Sequence, residues 1–206
     1  MRLKFRLLLI FTLVLMIFGQ HQTALAVNMF KFKGQVANAS FSSVDGCIQT
    51  IVGLFAVEAA VQDHPDRRGP YSSVNIFMSQ YDLCTSTQVL VAQGVADLAE
   101  EAFQIDPKLE WARLITTVTL RDRQTANTFD ITIDLAWTGI APVTRQHNNI
   151  HFGDEECKVH SRFVGRFRES EAIGTVTNGI TNFARESSMD ALLISSNSSE
   201  MVIGCD

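Results

Sequence analysis

Glycine and proline are scarce, 12 and 4 in 206 residues, which excludes a collagen-like repeat and a proline-rich disordered tail. Charge is sparse too. Only 19% of residues are Asp, Glu, Lys or Arg, while 46% are apolar, the balance of a chain that folds around a core. Basic residues are the scarcer sign: setting aside Arg2, Lys4 and Arg6 leaves 14 of the 17 Lys and Arg against 22 Asp and Glu, a formal charge of −8 for the remainder. An acidic remainder argues against nucleic acid or an anionic lipid surface as the main partner. Also missing are a G-x-S-x-G elbow, an H-E-x-x-H helix and a glycine-rich phosphate loop that opens a helix, so the commonest serine hydrolase, zinc protease and nucleotide-binding signatures are excluded. Beyond the first 18 residues no charge-free run is long enough to span a bilayer as a helix.

The start itself is different. Basic MRLKFR is followed by uncharged residues 7–18 and then by Ala24-Leu25-Ala26, the succession of a secretory signal peptide. As a helix the apolar run covers only about 18 Å, short of a hydrocarbon core of about 30 Å. Residues 1–26 are therefore predicted to be a cleaved leader, and residues 27–206 a single exported domain, periplasmic or extracellular.

Cysteine is rare but even in number. Cys47, Cys84, Cys157 and Cys205 all follow the leader, and in an oxidising compartment they read as two disulfides. Three connectivities are open, and pairing within each half (Cys47 with Cys84, Cys157 with Cys205) is preferred. Each staple would contribute about 3–4 kcal/mol by chain entropy. No C-x-x-C occurs, which leaves little room for a thiol-based metal cluster.

Period-two alternation dominates what remains. In residues 129–138, Phe129, Ile131, Ile133, Leu135 and Trp137 fall on one side and Asp130, Thr132 and Asp134 on the other, a strand with one wet face. Leu114, Thr116, Val118 and Leu120 alternate in the same way before a polar connector at 122–128, so the two runs predict a hairpin. Further strands are expected at 30–41, 48–60, 74–83, 88–94, 147–152, 158–167, 173–183, 191–195 and 201–205, and residues 95–103 (VADLAEEAF) favour a short helix. About ten strands with at most one or two short helices mean an all-β antiparallel domain, a sandwich first and a barrel second. Phe163 and Phe167 are expected in its core, with Arg162, Arg166 and Arg168 outside.

Trp137-Thr138-Gly139, the histidines at 147 and 151, Gly174-Thr175-Val176 and Thr181-Asn182-Phe183 together resemble a loose group of exported bacterial all-β proteins with no assigned function. The resemblance implies an exported β fold and carries no catalytic residue.

Candidate chemistry is concentrated between residues 147 and 160. His147 and His151 face the same side of a strand, and a turn at 153–156 would return His160 beside them. Three imidazoles suit zinc or copper, so a divalent metal, and with it a metal-binding protein or metal-assisted hydrolase, is the alternative to a plain polar strand. Asp130 and Asp134 share a face as a glycosidase pair would, but alternation alone demands polar residues there. The polar connector 63–70 is a candidate functional loop by its length. With no catalytic signature, the leading expectation is a non-catalytic exported binding or structural module whose loops or open sheet edge meet a protein, a glycan or a small ligand. A carrier of a small apolar ligand inside a barrel is the third reading. The intact mass of the secreted protein should correspond to a start at Val27 with four hydrogens fewer than the reduced chain; a retained leader or two free thiols would contradict this.

Overall fold

The computed structural model describes residues 28–64, 67–68, 70–153 and 157–205, with side chains placed for 31–60, 70–151, 153 and 158–203. The expected leader at residues 1–26 therefore lies outside the described residues, as do Pro65, Asp66 and Gly69 of the polar connector. No helix occurs among the described residues. Eleven strands do: β1 (Asn28–Asp45), β2 (Ile48–His64), β3 (Arg67–Arg68), β4 (Tyr71–Asp82), β5 (Thr87–Asp97), β6 (Phe103–Ile105), β7 (Trp111–Asp122), β8 (Thr128–Gly139), β9 (Thr144–Gly153), β10 (Cys157–Thr177) and β11 (Asp190–Cys205).

The all-β antiparallel expectation is met. The strands form one sheet, and eight of them follow one another in the order β1-β11-β10-β8-β7-β5-β4-β2, where β2 pairs again with β1. The hydrogen bonds thus run round a ring, which removes the open edges that a flat sheet of this length would expose. Its thinnest seam joins β5 to β7 through Ala92↔Asp122 and Gln93↔Arg121, with Arg123 N donating to Val91 O at 2.8 Å beside them.

Alternate residues of every ring strand point inward. Leu54, Ile76, Met78, Leu114, Leu120, Ile131, Ile133, Leu135, Trp137 and Leu193 are all fully buried, so side chains fill the ring rather than leaving a chamber. The Trp137 indole is anchored by donating to the Asn38 carbonyl at 2.7 Å. Polar atoms this deep require a partner.

The loop between β6 and β7 closes one mouth. Asp106 Oδ2 accepts from the backbone N–H of Lys108 and Glu110, both at 3.0 Å, and the resulting tight turn drives Leu109 to φ 62° while burying it completely. A left-handed leucine is strained. The loop's carbonyls are held from the wall: Gln35 donates to Asp106 O, Arg166 to Pro107 O and Arg168 to Leu109 O.

Those contacts correct the expectation for β10. Arg166 and Arg168 lie on the same alternating face as buried Ser170 and Ala172, while Phe163 and Phe167 are only half-buried on the other. Phe129 is likewise half-buried against the core. The predicted helix at 95–103 is also replaced: β5 continues to Asp97, Ala102 N closes a turn on Ala99 O, and β6 begins at Phe103. Pairing of Val95 with Asn75 overrides the helical propensity of the alanines and glutamates. The segments 158–167 and 173–183 fall largely on one strand, β10, ending at Thr177, and 191–195 and 201–205 are both parts of β11.

Truncation of Leu135 to Ala should cost about 3 kcal/mol in denaturant unfolding, whereas Ile115→Ala, on the outer face at 48% exposure, should cost under about 0.5 kcal/mol. Equal losses would contradict a single inward face.

Candidate functional site

Four strands of the ring, β1, β2, β10 and β11, outrun it. A row of irregularities marks where they leave it: Ala60 is extra on β2 between the pairs Lys33↔Val61 and Gly34↔Ala59, and Asn197 is extra on β11 between Val164↔Ser198 and Gly165↔Ser196. Two glycines are required on this line. A Cβ on Gly34 would lie 2.2 Å from Glu58 O, and one on Gly165 would lie 2.5 Å from Ser195 O. The rings of Phe32 and Phe163 approach the open space the two glycines leave.

Beyond that line β2, β1, β11, β10 and β9 form a projecting sheet. Its register sets Asn149, Arg162, Glu200, Lys31 and Asp63 side by side on adjacent strands. Opposite charges therefore alternate from β10 to β1 on one face, at Arg162, Glu200 and Lys31, an arrangement that favours this register over its neighbours. The other face carries Ile150, Phe163, Phe32 and the buried Met201.

β9 closes this sheet on one side. It pairs only with β10, from Lys158↔Gly153 to Phe167↔Thr144 without a register shift. Among the described residues it is the longest strand with a single neighbour; the others are the two-residue β3 and three-residue β6. Its second edge offers unpaired backbone donors and acceptors, and the strand contains no proline, lysine or bulge to blunt them.

The three candidate histidines lie here. His151 and His160 are directly opposite, their rings stacked at 4.1 Å between centroids and 19° between planes, and His160 Nε2 shares a hydrogen bond of 2.7 Å with Asn149 Oδ1. All three histidines are exposed. His147 is opposite Val164, about 13 Å along β9 from His151, so one chain brings two imidazoles together and leaves the third apart. The hairpin tip at 154–156 lies outside the described residues.

A different trio, Cys47, Asp82 and Cys84, places ligand-type atoms within 4.8 Å of one another. Its sulfurs are already joined in the Cys47–Cys84 disulfide, which withdraws the thiolates that a metal would need. The bridge instead clamps the β1–β2 turn to the β4–β5 turn, beside the Leu83 N to Cys47 O bond of 2.8 Å. Cys157 and Cys205 are paired in register on β10 and β11, with their side chains outside the described set.

The paired-carboxylate reading finds separate partners: Asp130 accepts from Thr119 Oγ1 at 2.6 Å, and Asp134 lies 3.5 Å from Arg113 on the exposed face. Two surface hollows, of about 220 and 260 Å³, are lined by Lys31, Asn197 and Glu200 and by Ile140, Ser170 and Met189. Sequence reasoning missed the edge of β9 because an alternating run does not reveal how many neighbours its strand will have. No family model, curated protein or solved structure matches this chain.

Two aspartates tune the hairpin ends. Backbone and hydroxyl hydrogen bonds from Thr85 hold the Asp82 carboxyl below its ordinary value, helped by Cys84 N at 2.8 Å. The Thr125 hydroxyl, followed by the Gln124 N–H, does the same for Asp122. Both groups are bound more tightly as anions in the folded state, so their stabilisation is present above the unfolded value near pH 4 and is lost as pH falls through the lower folded values. Stability should decline on acidification below about pH 4, and Asp82→Asn with Asp122→Asn should make that decline shallower; an unchanged slope would contradict the assignment.

Proposed function

We propose that the protein is a non-catalytic exported binding module that takes an extended polypeptide as an added strand along the free edge of β9. The observation that carries this reading is the ten-residue strand with one neighbour and an unbroken register. Strand addition draws affinity from the backbone and selectivity from alternate side chains, here Arg145, His147, Asn149 and His151 on one side and Gln146, Asn148 and Ile150 on the other.

Other observations agree. The ring interior is occupied by side chains, which favours an external contact over a small apolar ligand carried inside. The leader-like residues 1–26 and the Cys47–Cys84 disulfide support export to a periplasm or the medium. No helix of the described residues is long and apolar enough to cross a membrane. The acidic balance supports a polypeptide over nucleic acid.

Peptides of alternating polar and apolar residues, read by fluorescence anisotropy, should bind the wild-type protein and lose at least about tenfold in affinity to Asn149→Pro. Circular dichroism should be unchanged by that substitution. Equal binding by the variant, or no binding by the wild type, would contradict the reading.

A further inference from the structure

The edge of β9 is complementary to itself. In a two-fold antiparallel pairing with the axis normal to the sheet, opposed residues must point to the same side, so the axis passes through a residue position. Centring on Asn149 overlaps residues 145–153. It sets Asn149 against its own copy, His147 against His151 and Arg145 against Gly153 on the exposed side, and Asn148 against Ile150 on the half-buried side. Centring on Asn148 overlaps as much but turns the Arg145 guanidinium onto the imidazole of His151. The first register opposes no guanidinium to an imidazole.

That register has a chemical consequence. Directly opposed residues hold their Cβ atoms about 4.5–5.5 Å apart, a spacing from which two imidazoles can share one ion at Zn–N distances of about 2.0–2.1 Å. His147 thereby gains the neighbour that it lacks within one chain. His160, opposite His151 on β10, extends the row to three imidazoles on three adjacent strands, its ring turning out of the stack on His151 and releasing Asn149 to reach the ion, while Glu200 faces Arg162 in the register and offsets its charge.

We propose that a second copy of this chain is the polypeptide added at β9, in the Asn149-centred register, and that His147 of one copy with His151 and His160 of the other forms a zinc site, twice per dimer. The proposal rests on the strand-addition reading above and names its partner. Neither copy holds the complete imidazole set alone. The two projecting sheets become one continuous sheet, so the alternating-charge face and the face bearing Ile150 and Phe163 each extend across both copies.

Sedimentation equilibrium of the secreted protein, in EDTA and with added zinc ion, tests this. The wild type should dimerise in EDTA and should associate about tenfold more tightly with zinc. His147→Ala should keep the dimer in EDTA and lose the response to zinc. Asn149→Pro should be monomeric in both conditions with an unchanged circular dichroism spectrum. A zinc response that survives His147→Ala, or a dimer indifferent to Asn149→Pro, would overturn the proposal. A wild type that stays monomeric in both conditions would also overturn it. If that monomer still bound alternating peptides, only the self-pairing would fall; if it bound none, the strand-addition reading would fall with it.

Discussion

Closure of the sheet on itself governs the rest of the molecule. Once β2 returns to β1, every ring strand has one face that water cannot reach, and the enclosed volume must be filled by whatever residues alternate onto it. Trp137, Leu54, Ile76, Leu114 and Leu135 meet that demand from different strands, and Leu109 meets it from a loop, in a backbone conformation that leucine rarely adopts. The strain at Leu109 is held by hydrogen bonds from Gln35, Arg166 and Arg168 to the loop carbonyls. Filling the interior also leaves the outer surface and the projecting sheet as the faces open to solvent.

The ring and the projection depend on one another through the irregular row at Gly34, Ala60, Gly165 and Asn197. Ring closure removes edges among the ring strands; β9, which lies off the ring and pairs only with β10, carries the longest edge that remains among the described residues. An unguarded edge of ten residues is a template for pairing with another strand unless something covers it. Its exposed side is polar throughout, with Arg145, His147, Asn149 and His151 in alternation.

How much of this was legible in the sequence differs from strand to strand. β7 and β8 were readable because each keeps one face inside and one in water along its whole length. β10 was not, because its even-numbered side is solvent-exposed at Lys158, His160 and Arg162 and then buried at Ser170, Ala172 and Val176, so a single alternation spans two environments. That switch is also why alternation alone puts Arg166 and Arg168 outside, although they reach the carbonyls of the loop between β6 and β7. The helical reading of 95–103 failed for another reason: ladder hydrogen bonds to β4 outweigh intrinsic propensity over so short a segment. Hairpin geometry was enough to bring His160 beside His151, whereas His147 shares their face but is a full four residues away along β9. Of three open connectivities, pairing of Cys47 with Cys84 is the one their position in one half of the chain favours, and the structure places that bridge across two neighbouring turns.

The central claim is that one sheet closes around one filled interior. Interstrand backbone contacts measured by nuclear Overhauser spectroscopy at the two seams test it most directly. The account predicts contacts between Ala92 and Asp122 and between Ala37 and Ala56 in the same folded state, with Trp137 Hε1 strongly protected by its bond to Asn38. Loss of either set, with the remaining strand contacts intact, would leave an open sheet, and loss of both would leave two separate sheets packed face to face; each outcome would contradict the ring.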